Sequence, residues 1–261
     1  MSHLSSGAAG SHCQTGTASY GEAHVWLVNP DALGEELTGR LSVLSVEERA
    51  RMARFRFESD RNAYAAAHVL LRAALTWSAP SVPPAKWELT NSELERPELV
   101  APKVCPRLRF NISHTRSLVA CLVTREIDCG IDVEVLRQVE DMPELAARVL
   151  SPAERSDLMA LPESLRPTRF FRYWTLKEAY VKARGLGLSL PLDAVSFDLN
   201  VGDITITIDP SLNDHGREWQ LEQWTPTEQH VVAIAIKSRH VGGVRVVKHQ
   251  HIPVRDIAPH A

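Results

Sequence analysis

One nine-residue stretch, Ile127-Asp-Cys-Gly-Ile-Asp-Val-Glu-Val135, constrains the fold more than any other part of the chain. Apolar and polar residues alternate along it, which is the pattern of a strand with one buried face. Ile127, Cys129, Ile131, Val133 and Val135 fall on one side, and Asp128, Gly130, Asp132 and Glu134 on the other. Asp132 and Glu134 therefore point the same way and sit near enough to share a cation. An edge strand with a solvated acidic face would show the same alternation. Gly130 argues for more, because a glycine inside a strand often marks the close approach of a ligand or another backbone.

A helix follows some forty residues later. Thr168 is its predicted N-cap, and Gly185 with Gly187 supplies its stop. Phe171, Trp174, Glu178 and Val181 recur at helical spacing, which puts Glu178 on the stripe expected to face the core. A carboxylate there is costly unless it is paired or bound to metal. Lys182, at i+4, can neutralise it as an ordinary helical ion pair. Lys177 points elsewhere, as a second phosphate contact or a solvated lysine. Upstream, Leu108, Phe110 and Ile112 alternate as a short strand that ends at Ser113 and His114. A serine hydroxyl and a histidine suit a phosphate there, although a histidine at a strand end is often only structural. Three carboxylates suit a hard divalent cation, and a lysine beside them suits a phosphate. Together they point to an enzyme acting on a phosphate ester.

The chain also repeats itself. Leu44-Ser-Val-Glu-Glu-Arg49 aligns without a gap to Leu150-Ser-Pro-Ala-Glu-Arg155. Both contain a capping box, Ser45 with Glu48 and Ser151 with Glu154, and Pro152 takes the first helical position. At the same offset, the alanine-rich helix Asn62–Thr76 falls on the helix Phe170–Lys182. A strand precedes each helical pair (His24–Val28; Cys129–Val135). Further strands follow, ending in Leu118–Val123 in the first half and in Val231–Ile236 in the second. Val195–Leu199, Ile204–Ile208 and Trp219–Trp224 lie between them in the second half. The order predicts an α+β fold of two similar halves, 21–126 and 127–238.

With 261 residues and 44% hydrophobic content, the chain can bury one large core or two small ones. A net charge of −3 gives no support for nucleic-acid binding. No apolar run approaches membrane-spanning length, and the N-terminus lacks an apolar signal region. Cys13, Cys105, Cys121 and Cys129 show no zinc-like spacing. Cys121 and Cys129 read as buried thiols, which suits a reducing cytoplasm. Residues 1–20 and 239–261 are expected to be flexible tails. His249 and His251 fall in the second of these, read as solvated rather than metal-binding.

Phe110-Asn-Ile-Ser-His114, Gly130-Ile-Asp-Val-Glu134 and Trp174-Thr-Leu-Lys-Glu-Ala-Tyr-Val-Lys182, in that order, resemble the three signatures of the surfactin-type 4'-phosphopantetheinyl transferases. The tail Gly185-Leu-Gly-Leu-Ser-Leu-Pro-Leu192 is similar as well. The close resemblance runs from Arg96 to Leu192, and a weaker architectural one from His24 to Lys237. It implies two pseudo-symmetric α/β halves with the active site at their interface, acting as a monomer. The implied reaction moves the phosphopantetheine arm of coenzyme A to a serine of an apo acyl or peptidyl carrier protein, releasing adenosine 3',5'-bisphosphate. By the same resemblance, Asp132, Glu134 and Glu178 hold magnesium and Lys182 binds the leaving phosphate. Glu178, or a metal-bound water it orients, takes the serine proton. Ser113, His114, Arg51, Arg54 and Arg96 are implied to hold coenzyme A, with His114 and the first-half basic residues on its 3'-phosphate. Arg61 is a further candidate or an exposed helical arginine. Two departures from the pattern touch this end. Glu95 precedes Arg96 where relatives have glycine, and Ala63 stands where many carry a basic residue.

Two rivals share parts of this pattern. A metal-dependent nuclease would need a basic groove that the charge balance does not supply. A non-catalytic coenzyme A or carrier-binding homologue would be expected to lose one of the three carboxylates or Lys182, and all four are present.

Overall fold

The computed structural model describes residues 19, 21–89, 98–185, 187, 190–200, 202–238 and 243–253. The expected N-terminal tail, apart from Ser19, lies outside them, as do Cys13, Glu95 and Arg96. In chain order the elements are β1 (Glu22–Val28), α1 (Pro30–Arg40), α2 (Val46–Ala53), α3 (Glu58–Ser78), β2 (Glu88–Leu89), β3 (Leu99–Ala101), β4 (Leu108–His114), β5 (Val119–Arg125) and β6 (Cys129–Val135). Then come α4 (Met142–Val149), α5 (Pro152–Ala160), α6 (Arg166–Arg184), β7 (Val195–Asp198), β8 (Thr205–Ile208), β9 (Trp219–Thr227), β10 (His230–Lys237) and β11 (Arg245–His249).

The repeat seen in the sequence is a repeat of topology. One sheet runs β11-β1-β5-β4 and the other β6-β10-β9. The triplets β1-β5-β4 and β6-β10-β9 have the same order, and every pair within them is antiparallel. Both capping boxes form, Ser45 with Glu48 and Ser151 with Glu154. Each of these glutamates also reaches beyond its own helix. Glu48 accepts from His68 at 2.9 Å and pairs with the buried Arg72 at 2.9 Å, both on α3. Glu154 pairs with Lys177 of α6 at 2.8 Å and accepts the Phe197 amide at 2.9 Å. Lys177 is 1% exposed and donates to the carbonyls of Leu192 and Val195. It is therefore neither a phosphate contact nor a solvated lysine. Its charge is satisfied inside the second half, as a buried ammonium requires.

Three apolar clusters set the layers. Leu70, Leu71 and Leu75 of α3 pack on Trp26, Phe110 and Val123 of the first sheet. Leu176, Ala179 and Tyr180 of α6 pack on Val231, Ala233 and Ala235 of the second. The opposite faces, including Val25, Leu122, Ile131, Val133 and Ile234, form the third cluster between the sheets. The order is helix, sheet, sheet, helix. The acidic face of β6 is thereby turned toward α6.

Gly130 determines how near α6 comes. A Cβ built there would collide with the Ala179 carbonyl oxygen and lie 2.5 Å from the Ala183 amide nitrogen. The helix rests on bare strand backbone. It begins at Arg166, with Pro167 in its first turn, two residues before the expected cap at Thr168, because proline suits a position with no amide to satisfy. Gly185 ends it in the left-handed conformation at φ 67°.

The flexible C-terminal tail expected after Ser238 is overturned in part. Residues Arg245–His249 form β11, which lies parallel to β1 and extends the first sheet. His249 is not solvated: its ring stacks on Trp26 at 4.8 Å, and its Nε2 lies 3.1 Å from His24 Nδ1. Ile252 beyond it is buried in the first core.

Gly130→Ala should lower stability by about 1–3 kcal/mol, as forced overpacking does, because helix backbone must move to admit the methyl group. Gly39→Ala, where a Cβ meets nothing within 4 Å, serves as the control and should be neutral or slightly stabilising. Urea midpoints of the two variants check this, and equal midpoints would refute the close-packing account.

Candidate active site

The two sheets meet along a seam of β4 and β6, and side chains close it. Asn111 Oδ1 accepts the Ile131 amide at 2.9 Å, and Ser113 Oγ accepts the Val133 amide at 3.3 Å. Alternation puts Asn111 and Ser113 on the same face of β4, away from the apolar Phe110 and Ile112. Those two polar residues satisfy edge amides of β6 that a further strand would otherwise pair. They also bring the first half up to Asp132.

Asp132 is the centre of the arrangement. It is 4% exposed, and its Oδ1 accepts from Ser113 Oγ at 2.8 Å and from Lys182 Nζ at 2.6 Å. Lys182 also donates to Ser113 Oγ at 3.1 Å and to the Ile131 carbonyl at 3.3 Å. The ion pair expected between Lys182 and Glu178 along the helix thus runs across it to the strand. Ser113, expected to touch phosphate, is buried, with its hydroxyl committed to one donated and two accepted bonds. That is its full capacity.

Glu134 accepts from Trp174 Nε1 at 3.0 Å and lies 3.4 Å from Arg137. Burial, and next the Asp132 charge, raise its carboxyl above the ordinary range. Glu178 is raised too, chiefly by burial; Lys182 opposes the shift, and the charges of Asp132 and Glu134 add to it. Glu134 therefore feels the Asp132 charge, and Glu178 feels both. Beside Glu134 opens a cavity of about 400 Å³, with Arg137, Gln138 and Glu140 on one part of its wall and Val139, Leu145, Phe170, Phe171 and Trp174 on the rest.

Among the described residues, no group of three His, Cys, Asp or Glu side chains stands close enough together to hold a metal. Two of the expected ligands are turned to protein donors, Asp132 to Lys182 and Glu134 to Trp174. The chemistry still fits a hard cation. Asp132 Oδ2 is buried with no partner, an exception among buried polar atoms that asks for one. Two further carboxylates lie within electrostatic reach with their ionised forms disfavoured. Oxygen donors of this charge suit magnesium.

The remaining expected residues lie in the first half. His114 ends β4 and is exposed, with part of its hydration lost to neighbouring protein. Loss of hydration first, then the charges of His68 and Lys182, hold its pKa below the usual histidine value. Arg51 and Arg54 are both exposed, and Arg51 lies over the Tyr64 ring at 5.9 Å. Arg61 donates to the carbonyls of Phe55 and Arg56 at 3.0 and 3.2 Å, which is a local structural task. Arg96 falls outside the described residues. Sequence reasoning gave no role to Asn111, to His68 or to the Trp174 indole. The period-two pairing of Asn111 with Ser113 was a readable signal for the first. Nothing local marks His68, because its place beside His114 depends on α3 packing against β4.

Residues 128–235 match the model of the 4'-phosphopantetheinyl transferase superfamily, and residues 30–126 match the model of the 4'-phosphopantetheinyl transferase N-terminal region. The chain is 32% identical to the 4'-phosphopantetheinyl transferase HetI of Nostoc sp., over 82% of its own length and 87% of that protein. It is 30% identical to the 4'-phosphopantetheinyl transferase Sfp of Bacillus subtilis, over 68% of its length and 76% of that protein. A third relative, the L-aminoadipate-semialdehyde dehydrogenase-phosphopantetheinyl transferase of Xenopus laevis, is 25% identical over 81% of this chain and 72% of that protein. Matched in both halves and along most of its length, the chain belongs to the 4'-phosphopantetheinyl transferase superfamily.

Proposed function

We propose that this enzyme transfers the 4'-phosphopantetheine arm of coenzyme A to a serine of an apo acyl or peptidyl carrier protein in a magnesium-dependent reaction. Adenosine 3',5'-bisphosphate leaves. The observation that carries the reading is the buried, unpartnered Asp132 Oδ2, in a cluster where the charges of Asp132 and Glu134 both act on Glu178. Asp132, Glu134 and Glu178 would hold the ion. Bound there, magnesium supplies positive charge against the pyrophosphate of coenzyme A.

The chain's own residues account for the rest. In the transfer, the carrier serine oxygen forms a bond to the phosphorus that bears the pantetheine arm. The bridging bond to the second phosphate breaks, and its electron pair leaves with the nucleotide. Lys182, poised on Asp132 by a 2.6 Å bond, can swing its ammonium onto the leaving phosphate. Glu178, a carboxylate with raised basicity, takes the serine proton directly or through a water it orients. Ser113 positions Asp132 and does not touch substrate. His114 and the exposed Arg51 and Arg54 face the 3'-phosphate end. The apolar part of the cavity beside Glu134, formed by Phe170, Phe171 and Trp174, suits the uncharged pantetheine arm. This chemistry needs a cytoplasmic supply of coenzyme A and no nucleic acid or membrane.

Incubation with coenzyme A, magnesium and an apo carrier should add one phosphopantetheine to the carrier's mass. Asp132→Ala should abolish that gain, and a variant with robust magnesium-dependent transfer would sink the assignment. Lys182→Ala should slow turnover by about 10²-fold or more, as loss of a transition-state charge contact does.

The charge on Glu178 carries a stability signature of its own. A carboxyl raised in the folded state stabilises the protein while protonated, and that stability is lost as pH rises through its folded value. At neutral pH and without metal, Glu178→Gln should therefore melt higher than the parent while losing activity. Magnesium should raise the melting temperature of the parent and not that of the variant. The opposite order of melting temperatures would remove Glu178 from the charged cluster.

At the nucleotide end, dephospho-coenzyme A should bind more weakly than coenzyme A, and His114→Ala should narrow the difference. Equal binding of both by the parent would make the first-half basic residues surface charges only.

A further inference from the structure

His230 opens β10 and is 4% exposed, yet nothing in the reaction so far uses it. Its Nε2 lies 2.9 Å from Ser117 Oγ, and its Nδ1 lies 2.6 Å from Thr227 Oγ1. Thr227 belongs to the same β9–β10 hairpin. Ser117 does not: it sits in the first half, in the turn that follows His114. A neutral imidazole offers one donor and one acceptor, and each hydroxyl can take either role, so both ring nitrogens are satisfied. Burial pushes the His230 pKa down, which keeps the ring neutral.

The turn itself is stiff. The Thr115 amide donates to the Leu118 carbonyl at 2.8 Å, and the amides of Ser117 and Leu118 donate to Thr115 Oγ1 at 3.3 and 3.1 Å. Its tie to α3, Arg116 with Asp60, is exposed and contributes little. The Ser117–His230 bond therefore anchors a preformed turn to the second half. The place of anchoring matters. In the β6–β10 register His230 stands opposite Val135, and the next residue, Val231, stands opposite Glu134. One end of the bond is three residues from His114 and the other is one residue from the partner of Glu134.

We infer that His230 is a positioning residue, which holds the His114 turn at a fixed distance from the strand end that bears Glu134. The inference rests on the coenzyme A reading above. In that reading the ligand must touch both places at once, its 3'-phosphate at His114 and its pyrophosphate near Glu134. A rigid spacing spares the ligand the cost of ordering the turn. Loss of the bond would weaken capture of coenzyme A and leave the bond-breaking residues undisturbed.

Steady-state kinetics on four variants test this. His230→Phe keeps the ring shape and removes both hydrogen bonds, and Ser117→Ala removes the same bond from the other side without touching the core. Each should raise the KM for coenzyme A about 3- to 10-fold, the cost of one neutral hydrogen bond, with kcat and the KM for the carrier protein little changed. The double variant should be no worse than His230→Phe alone, since the Ser117–His230 bond is already lost in either single variant. His230→Gln, which places a polar atom near the lost Nε2, should recover most of the affinity. With dephospho-coenzyme A as substrate, the singles should change KM far less, because no 3'-phosphate has to reach His114. A merely structural role predicts equal losses with both substrates, or a fall in kcat, and either would overturn the inference. So would an unchanged KM in both singles, and if His114→Ala still alters the preference for coenzyme A, the coenzyme A reading survives that result. An unaltered preference in His114→Ala removes that reading and this inference with it.

Discussion

The close approach of α6 to β6 over Gly130 is the contact on which the rest of the molecule depends. A helix lying directly on strand backbone brings its side chains within reach of residues on that strand's acidic face. Any ordinary side chain at Gly130 would hold the two apart by the width of a methyl group. At that separation the 2.6 Å bond from Lys182 to Asp132 could not form as it stands. Positions that differ by an ångström decide whether charges cooperate, so a missing Cβ acts here as a functional group.

Charge balance at this junction is deliberately incomplete. Asp132 is half satisfied, with one oxygen held by Ser113 and Lys182 and the other bare. Glu134 and Glu178 are both held in environments that disfavour their ionised forms, burial being the larger cause in each. Elsewhere the fold does the opposite. Lys177 is matched by Glu154 and two carbonyls, and Asp214 by Tyr180, Arg184, Lys237 and the Trp219 indole. Among the described residues, buried charge is satisfied fully in the supports and left unsatisfied at Asp132, which is the contrast expected of a ligand site.

Local pattern made much of this legible. Alternation gave β6 to the residue, and the two capping boxes gave α2 and α5 together with the repeat. The three carboxylates and Lys182 could be named because strand and helix periods fix which way each side chain leaves the backbone. What stayed hidden was set by tertiary pairing. Lys177 reads as a phosphate contact or a solvated lysine because nothing near it in sequence announces Glu154, 23 positions earlier. Ser113 reads as a ligand because its three partners come from β6 and α6. β11 was missed for the same reason: Arg245-Val-Val-Lys-His249 is short and basic, and its partner β1 lies at the other end of the fold.

That last pairing carries a consequence for the order in which the protein can be made. The first sheet takes its outer strand from residues 245–249, after the whole second half has been synthesised. Until then the β1 edge presents open backbone groups on the growing chain, with Trp26 uncapped by His249. The half that is translated first is thus the half that is finished last. Its completion is a report, written into the hydrogen bonds of one parallel strand pair, that the half bearing the carboxylates has already emerged.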